Sequence, residues 1–330
     1  MLASFRPTEI APDDPAVPTT GRRLALARRL TDGAHPLTAR VLVNQLWLHH
    51  FGRGIVATPG DFGFLGERPT HPELLDWLAS DFVAGGWKLK RLHKLLMTST
   101  VYRQVSRRDE ERDRFDPDNR FFSRMPVRRL EAEAFRDAIL AVSGKLHEKM
   151  FGPAVPVMED EVGQVVLGIE NLNGENRPDK LIPLNGEEFR RSVYVQVRRS
   201  RPLAVLDTFD LPAMEPNCDR RNASTVAPQS LMLMNSEFVV VHAGYLAERV
   251  RREAGEEPKA QIIRAWRLAF AAEPNEDELA AALEFIAAQT EHFQKNPPAD
   301  KKDSEANPKQ LALASWCQAL LSANRFLYVD

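Results

Sequence analysis

Cysteine is nearly absent: the 330 residues hold two, Cys218 and Cys317. Two cannot build a disulfide framework, and they fall short of a zinc site unaided. One disulfide would satisfy the count, but two unpaired buried thiols are the plainer expectation. An excess of one charge is absent too. The 44 Lys and Arg stand against 46 Asp and Glu, a net charge of −2, so the chain as a whole has no pull toward nucleic acid or an anionic membrane. Nucleic acid is therefore not an expected partner. No apolar run approaches the roughly 20 residues that cross a bilayer, so no membrane span is expected. The opening MLASFRPTEIAPDDP lacks an apolar h-region and is not expected to be a signal peptide. A Walker loop, a serine elbow and a His-Glu-x-x-His helix are all missing, which removes support for the common nucleotide and hydrolase chemistries.

What is present is a globular composition, 43% hydrophobic and 27% charged, in a chain long enough for one large domain or two smaller ones. Residues 1–20 carry Pro7, Pro12, Pro15 and Pro18 and read as an extended arm. GRRLALARRLT follows as a helix. The next helix is expected to open at Pro36 and close at Gly52. Thr70-His71-Pro72-Glu73 reads as a capping box, with Leu74, Leu78 and Phe82 at helical spacing behind it and Gly85-Gly86 as the stop. Leu89, Leu92 and Leu96 form the stripe of another helix. Asp116-Pro117-Asp118 signals a turn, and Val127–Val142 reads as a helix ended by Gly144.

The character then changes. Residues 151–190 hold two Asn-Gly pairs, Asn173-Gly174 and Asn185-Gly186, the preferred centres of tight hairpin turns. Ser192 to Arg198 alternates, with three valines on one face, and reads as a strand. Helices are expected again over about 228–253, 259–271, 275–294 and 309–323, with a charged, proline-rich loop at 296–308 that should be mobile. The expected fold is mainly α, a multi-helix globular domain with a small β insertion around residues 151–200. As a domain plan this gives an arm over 1–20 and a single domain over 21–330, helical over 21–150, β-containing over 151–227 and helical over 228–330.

Several residue groups invite chemistry. Gly52-Arg53-Gly54-Ile55-Val56-Ala57 matches a dinucleotide fingerprint, but a helix precedes it where a strand is required, so nucleotide binding is rejected. His49 and His50 are adjacent and diverge by roughly 100° on a helix, a poor start for a metal site, and no metal is assigned. Arg40 and Asn44 lie four apart on an apolar helix, and Asp61 in the following loop is the expected partner of Arg40. The preferred reading is a structural Arg40–Asp61 link; the alternative is a pocket lined by Arg40, Asn44 and Asp61, which in an enzyme would combine with His71, Arg190, Arg191 and Arg221. Glu133 and Asp137 share a helix face among Arg128, Arg129, Glu131 and Arg136, and a salt-bridge lattice is preferred there to an acid–base pair. Seven arginines, Arg190, Arg191, Arg198, Arg199, Arg201, Arg220 and Arg221, fall within 32 residues with no lysine among them. Their planar forks suit two-point grip on carboxylate, sulfate or phosphate. Internal pairing with the acidic residues is the competing reading, and a ligand site would use Arg190, Arg191, Arg198, Arg220 and Arg221.

The stretches ARVLVNQLWLHHFGRGIVATPGDFG, THPELLDWLA, GWKLKRLHKLLMTSTVYRQ, MPVRRLEAEAFRDAILAVSG, RRSVYVQVRRS, CDRRNASTVAPQSLMLMNSEFV and CQALLSANRFLYVD occur in this order. Together they resemble the planctomycete-specific domain one family, domain of unknown function 1553, over nearly the whole chain from about residue 20. The resemblance implies the C-terminal part of a longer secreted protein, preceded by a cytochrome c-like domain and a companion domain of unknown function. It therefore implies an extracytoplasmic location, periplasmic or cell-surface, and those two domains as partners in the same or a neighbouring chain. It carries no reaction. The chain lacks a Cys-x-x-Cys-His haem attachment, so no cofactor is expected in it, and haem is expected only on the upstream domain. It reads as a free-standing copy, a split gene product or a fragment. The expected function is an accessory or binding module of such a complex, with an acidic or sulfated glycan as a candidate ligand. The alternative is an enzyme of unassigned class, a hydrolase among the options, with an Arg/Asn/Asp/His pocket.

Overall fold

The computed structural model describes residues 19–171, 182–212, 218–298 and 307–329. They are mainly α-helical, and contacts along the chain separate two units, Met1–Arg128 and Arg129–Val329.

Unit 1 contains α1 (Arg22–Thr31), α2 (Thr38–Phe51), α3 (Pro72–Ala84), α4 (Leu89–Met97) and α5 (Glu110–Phe115). α2 begins two residues later than Pro36, because the His35 ring takes over its first turn. Its Nδ1 lone pair accepts the N–H groups of Leu37 and Thr38, each at 3.3 Å. Gly52 ends the helix at φ 73°, donating its N–H to Leu48 at 2.7 Å, so this expected stop holds. α3 starts at Pro72 as its first helical residue, but the capping box does not form. His71 is the N-cap without a side-chain cap bond, and Thr70 turns instead to the Ile55 carbonyl. The core joins Val43, Trp47 and Phe51 of α2, Leu75, Leu78 and Phe82 of α3, and Leu92 and Leu96 of α4. Phe122 closes it edge-on against Trp47, ring centres 5.2 Å apart. The Asp116 turn is built as its residues suggest, its carboxylate accepting from the N–H groups of Arg120 and Phe121.

Unit 2 opens with α6 (Ala132–Val142), shorter than the expected Val127–Val142 because Glu131 is already extended at ψ 150°. Gly144 follows it at φ 74°. An antiparallel hairpin pairs Val157–Glu159 with Val165–Leu167. The Asp160 carboxylate makes its turn by accepting from the N–H groups of Val162 and Gln164. The expected strand at 192–198 is different: Ser192–Tyr194 is a 3-10 turn, and only Val195 pairs, as an isolated bridge to Val155. The three valines do not share a buried face. Val195 is buried, whereas Val193 and Val197 are exposed. The reason is local, since the Asp137 carboxylate captures both the N–H and the hydroxyl of Ser192, each at 2.7 Å. Asn185 and Gly186 adopt the positive φ expected of them, 52° and 93°, but their turn leads into a 3-10 turn at Glu187–Phe189 rather than a hairpin. Asn173-Gly174 lies outside the described residues, as do residues 1–18 of the arm and 299–306 of the charged loop.

After α7 (Ala204–Thr208) comes the helical half: α8 (Ala227–Asn235), α9 (Glu237–Ala254), α10 (Pro258–Phe270), α11 (Glu276–Lys295), α12 (Pro308–Leu321) and α13 (Asn324–Leu327). The helix expected over 228–253 is two helices, broken at Ser236, whose ψ is 128°. The side-chain amide of Gln318 on α12 donates to the freed carbonyls of Leu233 and Met234 at 3.1 and 2.8 Å. This tertiary partner makes the break tolerable. α11 is capped reciprocally by Asn275 and Glu278, both bonds at 2.8 Å. α9 and α11 pack along α12 and α10 packs on α9, burying Leu246, Val250, Ile262, Leu313, Trp316, Cys317 and Leu320. Both cysteines are free. Cys317 is buried and its thiol pKa is pushed well up by desolvation, while Cys218 is exposed rather than buried.

Candidate functional site

In unit 1, α2 places Asn44 facing the chain that leaves the helix. Asn44 is fully buried, its Nδ2 donating to the Val56 carbonyl at 3.0 Å and its Oδ1 accepting from the Val56 N–H at 2.8 Å. One side-chain amide thus pairs both polar groups of a buried residue, as a neighbouring strand would. Gly54 is required here, because a Cβ would lie 2.4 Å from the Val56 carbonyl oxygen and 2.8 Å from Asn44 Nδ2.

Arg40 does not reach Asp61. Its Nε donates to Asp76 on α3 at 2.7 Å and its Nη1 to the Pro36 carbonyl at 2.5 Å. A partner one helix away needs no loop to reach back. The Arg40 bond also holds the Asp76 carboxyl below the usual range. Asp61 is exposed and organises its own loop: its Oδ1 accepts the Gly63 N–H at 2.7 Å and its carbonyl accepts the Thr58 hydroxyl at 2.9 Å. The Thr58 hydroxyl oxygen in turn accepts the Glu67 N–H at 2.9 Å. His71 bonds Thr70 through Nδ1 at 2.9 Å and meets Phe121 edge-on. Arg40, Asn44, Asp61 and His71 are thus each held by their own local bonds, and none of these bonds joins one of the four to another.

At the tip of the Asp61 loop, Phe64 is 102% exposed and Leu65 88%. The tip is nonetheless framed, with Gly66 so close to the Asp61 carbonyl that a Cβ would sit 2.1 Å from its oxygen.

In unit 2, α6 carries the polar centre. Arg136 is 1% exposed, far from the surface lattice its charged neighbours suggest. Its Nη1 donates to the Arg190 carbonyl at 2.9 Å and the Ser192 hydroxyl at 3.2 Å, and its Nη2 to the Glu188 carbonyl at 2.6 Å. Burial draws its pKa down to about 10, opposed by Asp137, so it remains a cation at neutral pH. Arg190 is also buried, at 0% exposed. It donates to the carbonyls of Pro153 and Phe151 and to Glu187, and lies 4.0 Å above the Tyr194 ring. The two guanidiniums thus tie α6, the 151–153 segment and the 187–192 segment together.

The remaining arginines mostly hold carboxylates. Arg221 grips Glu133 with two bonds, 2.5 and 3.1 Å, and Arg191 donates to Asp137 at 3.1 Å. Arg198 and Arg201 share Glu170, whose pKa is held down by Arg198 first and Arg201 second. Arg129 bonds Asp210 at 2.5 Å, and Asp210 also accepts from the N–H and hydroxyl of Ser224. Burial works to raise the Asp210 carboxyl, but Ser224 and Arg129 outweigh it and hold it below the usual range. Glu133 and Asp137 are therefore each engaged by separate arginines, which supports the lattice reading over an acid–base pair. Among the described residues, Arg199 and Arg220 are exposed and make no ion pair.

Two further polar centres were not assembled by sequence reasoning. His242 of α9 is buried, and its Nδ1 is 2.7 Å from the Phe238 carbonyl while its Nε2 has no partner among the described residues. Burial pushes its pKa down to about 4, helped by Arg136 and Lys145. His93 of α4 meets His50 of α2, Nδ1 to Nε2, at 2.8 Å. A signal for the burial of Arg136 and His242 did exist: Ala132, Phe135, Arg136, Ile139 and Leu140 form one helical stripe, as do Val239, His242, Ala243 and Leu246. Among the described residues, no group of three or more His, Cys, Asp or Glu comes together to hold a metal, and no helix is long and apolar enough to cross a membrane.

These observations define a mainly helical protein whose polar interior is built of arginine and amide clamps. Residues 22–286 match the family model for the protein of unknown function DUF1553, and the chain belongs to that family. Comparisons with curated proteins and with solved structures find no match.

Proposed function

We propose that this chain is an accessory module, residues 21–330 acting as one functional module, which binds a protein partner through the Phe64–Leu65 tip of unit 1. The partner is the cytochrome c-like or companion domain of an extracytoplasmic complex, the arrangement the sequence resemblance implies. The observation that carries this reading is the full exposure of Phe64 and Leu65 on a loop whose base is hydrogen-bonded at Thr58, Asp61 and Gly63. A framed loop loses little conformational freedom on binding, so an aromatic anchor there contributes efficiently. The engagement of Glu133, Asp137, Arg190 and Arg221 in internal bonds favours a binding role over the enzyme alternative. The test is calorimetric titration of the chain with each purified candidate domain. Binding should weaken at least about tenfold in the Phe64→Ser, Leu65→Ser double variant. No binding to either domain, or unchanged affinity in the variant, would sink the proposal.

A second reading, an acidic or sulfated glycan as ligand, rests on Arg199 and Arg220, the two exposed arginines of the group that make no ion pair among the described residues. A glycan-array screen in which Arg199→Ala and Arg220→Ala leave binding unchanged would dismiss it.

A further inference from the structure

The contact between His50 and His93 belongs to no clamp described above. α2 supplies His50 from its last turn, α4 supplies His93, and the facing nitrogens are 2.8 Å apart with the ring planes at 65°. At that distance one nitrogen must carry the proton and the other must offer its lone pair. A neutral pair satisfies this, and so does a pair carrying one positive charge. A doubly protonated pair cannot, because two N–H groups would then point at each other with like charge.

The groups bearing on His50 offer no relief. His93 faces it from α4, the Arg128 guanidinium lies close enough to repel its charged form, and His49 precedes it on α2. The Tyr102 ring meets it edge-on at 5.6 Å. None of these is a carboxylate. Burial, then His93, Arg128 and His49, keep the His50 pKa below the ordinary imidazole value. On α4 itself the neighbours include Lys90, Arg91 and Lys94; Arg91 is tied to Asp81 of α3 by two bonds, at 2.6 and 2.7 Å.

We propose that His50 and His93 form a proton-sharing clamp between α2 and α4, which acidification opens. α4 is a nine-residue helix held by buried Leu92 and Leu96, partly buried Leu95 and the Arg91–Asp81 bonds to α3, and the histidine contact adds its polar tie to α2. Once both rings are protonated the contact becomes repulsive, and α4 is released more often from the unit 1 core.

The experiment is hydrogen exchange on the whole chain, following the amides of residues 89–97 at pH 7.5 and pH 5.0 after correction for intrinsic exchange rates. Protection of α4 should fall by about tenfold or more at the lower pH. In the His93→Gln variant, which keeps a hydrogen-bonding group that does not titrate, the fall should disappear from α4. Equal protection of wild-type α4 at both values, or a fall that survives in His93→Gln, would overturn the proposal. Should the variant fail to fold, imidazole NMR titration of the wild-type chain decides. A His50 ring titrating below the ordinary value and coupled to the other ring supports the clamp. Two independent titrations at the ordinary value overturn it.

Discussion

Unit 1 holds its irregular chain with a neutral amide, and unit 2 does so with buried cations. Asn44 fixes Val56 by exchanging two neutral hydrogen bonds, whereas Arg136 and Arg190 reach across three segments with donors that carry charge. An amide is cheap to desolvate but satisfies only one residue of the chain at a time. A guanidinium costs more to bury, yet its five donors span several carbonyls in fixed directions. Lysine could not replace it, having neither the planar fork nor the resistance to losing its proton. Within the run of arginines without lysine, this accounts for Arg190, the one that is buried.

The contrast can be broken experimentally. The largest expected effect is at Arg190. In Arg190→Ala the Phe151 and Pro153 carbonyls lose their donor and a cavity opens beside Tyr194, so unfolding free energy in urea should drop by about 3–5 kcal/mol. A drop below about 1 kcal/mol would return Arg190 to the surface lattice. Asn44→Ala should cost about 2–4 kcal/mol, since it leaves both polar groups of Val56 buried and unpaired. Asn44→Asp should not rescue it, because a carboxylate offers nothing to the Val56 carbonyl.

The third effect depends on pH and belongs to unit 2. His242 titrates near 4 in the folded chain against 6.5 for a free imidazole. Between these values the unfolded chain binds a proton that the folded chain refuses, so stability is intact above about pH 6.5 and declines as pH falls toward 4. The loss attributable to His242 should approach about 3 kcal/mol at the lower end. It should vanish in a His242→Phe variant if that variant folds, and a pH slope unchanged by the substitution would remove His242 from the account. Arg221→Ala should do least, about 1 kcal/mol, because the Arg221–Glu133 pair remains partly exposed to solvent.

Much of the helical frame was legible from spacing and punctuation: the stop at Gly52, the start at Pro72, the turn at Asp116 and the later helices each follow a local signal. What could not be read locally was decided by tertiary partners. Ser192–Arg198 alternates like a strand but is bent by Asp137, 55 residues away from Ser192, and α8 and α9 are parted where the Gln318 amide can donate to the freed carbonyls. Arg40 chose Asp76 over Asp61 because helix-to-helix reach outcompeted a loop that was already satisfied. Of the candidate site residues, Asn44 stood out as a polar residue on an apolar helix, but its partner Val56 could not be read from the sequence, and the burial of Arg190 was not visible in a motif that reads as a surface charge run.

The most direct test compares two arginines that approach the same carboxylate. Arg136 is buried with its bonds on carbonyls and Ser192, while Arg191 is exposed on Asp137. Urea unfolding at neutral pH of Arg136→Ala and Arg191→Ala, each against wild type, separates burial from mere pairing. The account predicts a loss of about 3–5 kcal/mol for the first and under about 1 kcal/mol for the second. Equal, small losses would contradict it and reopen the arginine centre as a site for an external anion.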